Sequence, residues 1–127
     1  MHLSSLLEIV TDALGDRVAV AGYAHGVSGA GGALTYMELS DRVDAVARHL
    51  AGAGAERLVA VDVNSEAVPI GLFGAARAAI PYVPVNYRLA DAQLCAILER
   101  AAPGLAVVEP SVPPRLGGGC ATVYQSF

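Results

Sequence analysis

The chain has 127 residues, the length of one ordinary domain and too short for two. Apolar residues make up 54% of it and charged residues only 16%, which excludes disorder because there is ample apolar surface to bury. A net charge of −4 and a pI near 5.2 argue against electrostatic nucleic-acid binding, which needs a basic face.

A mean hydropathy of +0.50 is high for a free-standing domain of this size, whose large relative surface needs polar cover. Either the surface is thinly coated or part of it packs against something outside the chain. Lysine is absent, and all eight cations are arginine: Arg17, Arg42, Arg48, Arg57, Arg77, Arg88, Arg100 and Arg115. Such a chain supplies no P-loop lysine for phosphates and no Schiff-base amine. Cys95 and Cys120 have neither metal-ligand spacing nor the pattern of a disulfide framework, and Cys95 reads as a buried thiol on a helix. The N-terminus lacks the basic segment of a signal peptide. The longest apolar stretch, residues 67–85, is broken by Pro69, Arg77, Pro81 and Pro84, so no membrane span is expected. The expected setting is cytoplasmic.

In chain order, Ser5 and Glu8 have capping-box spacing, and Leu6, Ile9, Val10, Ala13 and Leu14 follow at helical spacing up to Gly15. Residues 17–23 suit a short buried strand. A glycine-rich loop (Gly26, Gly29, Gly31, Gly32) then leads to a brief extended piece at 33–35, together predicting a hairpin. A phosphate-cradling loop would have to open a helix; this one leads into a strand and reads as a hairpin tip. Thr35 and Glu38 form a second capping box, opening an amphipathic helix with Leu39, Val43, Val46, Ala47 and Leu50 on its apolar stripe. Glu38/Arg42 and Asp44/Arg48 are spaced for favourable pairs along it.

Next come a strand at 58–63, a helix from Glu66 to Ala79, a strand at 82–85, a helix at 91–102 and a strand at 105–108. Asn64 and Ser65 can cap the first of these helices, whose first turn must hold Pro69. Connections this short predict parallel pairing, a βαβαβ unit of α/β class. The 66–79 helix is apolar nearly all round and so needs cover on both sides. Residues 110–119 read as a Pro/Gly-rich linker, and 120–127 as a possible further extended piece; the chain thus divides into an α/β segment, 1–109, and a linker with a short tail, 110–127.

Candidate site residues are few. His2, His25 and His49 share no ligand spacing, and no nucleophile–histidine–acid set is arguable. Asp62 ends the first parallel strand, where open α/β sheets place ligand groups, although a lone acid there also serves structure. Asn86, Tyr87 and Arg88 follow the second strand, setting an amide, an aromatic ring and a permanent charge at the same rim. Arg88 either grips a phosphate in bidentate fashion or pairs with Asp91 at the next helix start.

The order Leu34-Thr35-Tyr36-Met37-Glu38-Leu39, then 45–50, 57–63, Asn64-Ser65, and Ala76-Arg77-Ala78-Ala79-Ile80-Pro81-Tyr82-Val83-Pro84-Val85-Asn86-Tyr87-Arg88-Leu89 resembles the N-terminal part of the AMP-dependent, adenylate-forming acyl-CoA synthetases. The likeness covers roughly residues 3–109 and is strongest to acyl- and aryl-CoA ligases. It implies a partial N-terminal domain of that fold and a role in fatty acid metabolism. The reaction implied is carboxylic acid, ATP and CoA to acyl-CoA, AMP and pyrophosphate. It also implies ATP, Mg and CoA as cofactors of the complete enzyme, with none bound by this chain alone. The family's phosphate loop, nucleotide motifs and catalytic lysine lie beyond the matched region, so no catalytic residue carries over and the chain by itself is expected to be inactive. Arg88 is the one site residue that carries over, as a contact to the phosphates of the CoA nucleotide.

Two departures from the family pattern stand out. Ala79 occupies a position where glycine is usual, and Ala90 one where a capping Ser or Thr is common, which leaves Asp91 as the expected cap. The excess apolar surface, expected mainly on the 66–79 helix, implies the remainder of a ligase or a partner chain against that helix, or self-association. A free-standing Rossmann-like nucleotide-binding module or a protein-interaction module is the alternative.

Overall fold

The structure, a computed structural model, describes residues 2–21, 32–62 and 65–108 and the backbone of 124–125. Its elements are α1 (Leu3–Leu14), β1 (Val18–Ala21), β2 (Ala33–Thr35), α2 (Tyr36–Gly52), β3 (Leu58–Val61), α3 (Ala67–Arg77), β4 (Tyr82–Pro84), α4 (Asp91–Arg100), β5 (Leu105–Val108) and β6 (Tyr124–Gln125). The glycine-rich stretch at 22–31, Asn64 and the 109–123 segment lie outside the described residues.

β3, β4 and β5 pair in parallel, with Leu58 opposite both Tyr82 and Leu105. β6 adds a further parallel strand beside β5, so the sheet order is β4-β3-β5-β6. This is the α/β class expected from the alternating pattern. All four residues of β3 and all four of β5 are buried, as strands covered on both faces must be. Alternation along them divides the core in two. Leu58, Leu105 and Val107 face α1, α2 and α3, whereas Val59, Val61, Ala106 and Val108 pack with Leu94 and Leu98 of α4. The result is a sheet between two helical layers.

β1 and β2 pair antiparallel as expected of the hairpin, with a register shift between Val18 and Val20, but β1 is not the buried strand expected: Val18 and Ala21 are exposed and Ala19 and Val20 only half-buried. The Thr35 capping box is present in both halves. The Glu38 N–H donates to Thr35 Oγ1 at 3.2 Å and the Thr35 N–H donates to Glu38 Oε2 at 2.8 Å. Pro69 lies in the first turn of α3, where its missing N–H costs nothing.

Five local expectations need correction. α1 starts one turn early: the Ser5 and Leu6 N–H groups donate to the His2 carbonyl, so His2 is the cap and Ser5 is inside the helix. At α4 the cap is Ala90, not Asp91; its backbone is extended (ψ 149°), and the Gln93 side chain accepts from its N–H at 3.3 Å. The helix 91–102 ends at Arg100. β3 ends at Val61, with Asp62 beyond it accepting the Ser65 hydroxyl, and Val63 lies outside the described residues. Asp44 pairs across to Arg77 of α3, not along its own helix to Arg48.

A further correction concerns apolar surface. No residue of α3 is exposed: its outer side is closed by α2, whose Val46 lies so near Gly74 that a Cβ there would be 2.7 Å from Val46 Cγ1. Among the described residues, the exposed large apolar side chains are Leu3, Leu6, Ile9 and Leu14 of α1, with Val18 and Met37 beside its C-terminal end. The bare flank therefore belongs to α1. Its apolar arc is wider than the side occupied by Leu7, its one buried residue.

Candidate functional site

The rim at the C-terminal ends of the parallel strands is where an open α/β sheet presents groups to ligands. β3 is followed by β4 on one side and, through α4 on the opposite sheet face, by β5 on the other. The change of direction sets a switch point at the ends of β3 and β5. On this rim β3 delivers Asp62 and β4 delivers Asn86, Tyr87 and Arg88. The Val85 N–H donates to the Ala60 carbonyl at 2.8 Å, so the pairing Ala60↔Pro84 runs on to set Asp62 level with Asn86.

Pro84 cannot donate to a ladder, and its place at the end of the sheet-edge strand β4 removes that conflict. The chain then turns sharply. Asn86 Oδ1 accepts the Arg88 N–H at 3.0 Å, and the Asn86 carbonyl accepts the Leu89 N–H at 3.3 Å. A side-chain amide closing a turn two residues on is a local substitute for a backbone turn.

Tyr87 is half-buried and packs against the core on the α4 side. Arg88 is exposed and lies back over it, with its guanidinium carbon 5.4 Å from the ring centroid, within reach of a cation–π contact. Arg88 Nε donates to Tyr87 Oη at 3.1 Å. Tyr87 thus engages Nε and the flat face, not the paired Nη groups that take a phosphate or carboxylate side-on. Arg88 is held by its own neighbours rather than left as a loose surface cation.

Asp62 has a structural task. Its carboxylate accepts the Ser65 hydroxyl, and Ser65 Oγ accepts the Ala67 N–H at 3.1 Å. The pair thereby ties the end of β3 to the start of α3, but the cap position belongs to Glu66, which makes no side-chain cap bond, so Ser65 stands one residue ahead of the cap expected of it. Burial pushes the Tyr82 phenol above its ordinary pKa, and the Asp62 carboxylate adds to the shift. Sequence spacing alone did not reveal the Asp62–Ser65 bond, although acid and hydroxyl three residues apart at a strand-to-helix turn is its signature.

The other candidates do not join the rim. His2 and His49 are exposed at the start of α1 and in the last turn of α2; His25 and Cys120 lie outside the described residues. Cys95 is half-buried on α4 against the lower core. Among the described residues no three His, Cys, Asp or Glu side chains converge on a metal position, and no helix is long and apolar enough to cross a membrane.

Comparison with known proteins fits this arrangement. No curated protein matches the chain in sequence. Among solved structures, VinN is 25% identical, with a TM-score of 0.84 over 99% of this chain and 31% of its own. A putative long-chain-fatty-acid CoA ligase from Rhodopseudomonas palustris is 19% identical, with a TM-score of 0.83 over 100% of this chain and 33% of its own. A benzoate CoA ligase from Burkholderia xenovorans is 20% identical, with a TM-score of 0.76 over 99% and 26%. The chain therefore spans about a third or less of each of these proteins, and its fold matches the N-terminal domain of acyl-CoA ligases. The family model for AMP-binding enzymes matches residues 7–123, and the chain belongs to that adenylate-forming family.

Proposed function

We propose that the chain is the N-terminal portion of an ATP-dependent acyl-CoA synthetase, which joins a carboxylic acid to CoA through an acyl-adenylate with release of AMP and pyrophosphate. In this reading residues 1–109 are scaffold and residues 110–127 are a linker and tail leading toward the rest of the enzyme. Arg88 forms part of the wall that receives the phosphates of the CoA nucleotide. The observation that carries the reading is Arg88 itself: a permanent cation at the ligand-facing rim, pinned by Tyr87 and Asn86, in a chain of this family. Its Nη groups suit a phosphate.

ATP and Mg belong, on this reading, to the portion beyond the matched region. The chain has no lysine and so cannot supply a catalytic one. By itself it is non-catalytic.

The test is direct. The pure chain mixed with ATP, Mg, CoA and a panel of aliphatic and aromatic carboxylic acids should release no AMP above the blank. The same chain joined to the remaining portion of the ligase should release AMP and form a thioester with one class of acid. Turnover by the chain alone, or a joined enzyme whose KM for CoA ignores Arg88→Ala, would overturn the proposal in its catalytic and its binding part respectively.

A further inference from the structure

Arg88 is useful to a polyanion only if its guanidinium is already aimed, because an exposed arginine otherwise loses considerable rotamer freedom on binding. Two neighbours limit that freedom by different routes. Tyr87 acts on the side chain, through Nε and the ring face. Asn86 acts on the backbone: its Oδ1 accepts the Arg88 N–H and so fixes the turn from which the arginine departs. Asn86 is exposed, so burial gives no reason for its amide.

We infer that Asn86 is a positioning residue for Arg88, holding the 86–89 turn so that the guanidinium lies against Tyr87 with its Nη groups toward an incoming phosphate. The inference rests on the reading of Arg88 as a CoA-phosphate contact, and concerns how that contact is prepared. Asn86 touches no ligand in this scheme. It acts through one backbone hydrogen bond, and Tyr87 completes the clamp from the side-chain end.

The first measurement uses the 127-residue chain without ligand. Nitrogen-15 correlation spectra report the Arg88 backbone N–H and its Nε–H. Asn86→Ala should speed exchange of the Arg88 backbone N–H about tenfold and move the Nε–H signal toward that of a free arginine. Asn86→Asp, which keeps the accepting oxygen, should retain both signals. Unchanged Arg88 signals in Asn86→Ala would overturn the inference.

The second measurement uses the chain joined to the rest of the ligase. Asn86→Ala should raise KM for CoA about tenfold and leave KM for ATP where it was. Combined with Arg88→Ala it should add nothing further, since both remove the same contact. The outcomes separate cleanly. If Arg88→Ala leaves KM for CoA unchanged, the phosphate reading itself has failed. If Arg88→Ala raises it and Asn86→Ala does not, the phosphate reading stands and the positioning role of Asn86 is refuted.

Discussion

Ala79 and Gly54 occupy the same position of the same helix-ending motif. At α3 the Ile80 N–H donates to the Ala75 carbonyl and the Ala79 N–H to the Ala76 carbonyl; at α2 the Ala55 N–H donates to the Leu50 carbonyl and the Gly54 N–H to the Ala51 carbonyl. Both central residues are left-handed, with φ of 57° and 62°. Glycine takes that conformation freely, whereas alanine is strained in it by roughly 1–2 kcal/mol.

Ala79→Gly should therefore stabilise the chain. The strain relieved exceeds the roughly 0.4–1 kcal/mol lost through the looser unfolded glycine, leaving a gain of about 0.5–1 kcal/mol. Gly54→Ala should cost about as much. Urea denaturation of the two variants checks both signs, and equal stabilities would show that neither site is conformationally demanding.

The same pair shows what was legible in the sequence. Glycine in this place is a visible stop signal, so the end of α2 could be read from Gly52 and Gly54. Alanine gives no such signal, and the helix expected over 66–79 overruns the observed end of α3 at Arg77. The parallel sheet was legible because Leu58–Val61 and Leu105–Val108 are unbroken apolar runs, and α2 because Thr35 and Glu38 bracket its start. The bare flank was misplaced because composition does not say which apolar helix is covered. α3 is closed by the close approach of Gly74 to Val46, a contact between residues far apart in the chain. At the rim, Asn86, Tyr87 and Arg88 were legible as a group, yet the hydrogen bonds that join them depend on a turn that residue types alone do not fix.

Gly74→Ala should destabilise despite alanine's better helix propensity. A Cβ at Gly74 would lie 2.7 Å from Val46 Cγ1 and 3.1 Å from Val46 Cβ, so α2 and α3 would have to separate. Overpacking costs roughly 1–3 kcal/mol against a propensity gain of about 1 kcal/mol, and the former should prevail. Gly52, at the end of α2 with nothing within 4 Å of its added Cβ, is the control: Gly52→Ala should be neutral or slightly stabilising. A stabilised Gly74→Ala in thermal melts would mean that the helices do not meet this closely.

Arg77 joins three helices, bonding Asp44 of α2 and standing 3.6 Å from Glu8 of α1. Its side chain is 18% exposed, against 46% for Asp44 and 62% for Glu8, so the two arms should differ in strength. Double-mutant cycles should give a coupling of about 1–2 kcal/mol for Arg77 with Asp44, discounted from the buried-pair range because Asp44 is half in water. The cycle with Glu8 should give under about 0.5 kcal/mol and vanish in 1 M salt. Lysine should not substitute, since it lacks the fork that reaches two acceptors. Equal couplings would refute the ranking.

The apolar arc of α1 should govern how the chain behaves alone. Leu6 and Ile9 are 44% and 57% exposed, and exposed apolar side chains grouped on one helix face invite association. Leu6→Glu with Ile9→Glu should lower the fluorescence of an apolar dye and any concentration-dependent sedimentation, with little loss of stability. A comparable change in α3, Phe73→Glu, should unfold the chain, because Phe73 packs on the core. Dye binding unaffected by the α1 substitutions would place the bare surface elsewhere.

The capping box makes a pH prediction. The Thr35 N–H, then the Thr35 hydroxyl and the field of Arg42, hold the Glu38 carboxyl below its ordinary value of 4.5. A depressed folded value means that the unfolded chain takes up the proton first. The contribution of Glu38 is therefore complete above the unfolded value and is lost as pH falls through the folded one. Glu38→Gln keeps an accepting oxygen but not the charge. Its stability deficit should be constant near neutral pH, shrink as pH falls below 4.5 and close at lower pH, where the wild-type carboxyl is neutral too. Urea titrations at stepped pH values would show this convergence; a deficit persisting undiminished in strong acid would mean that the charge of Glu38 contributes nothing at the start of α2.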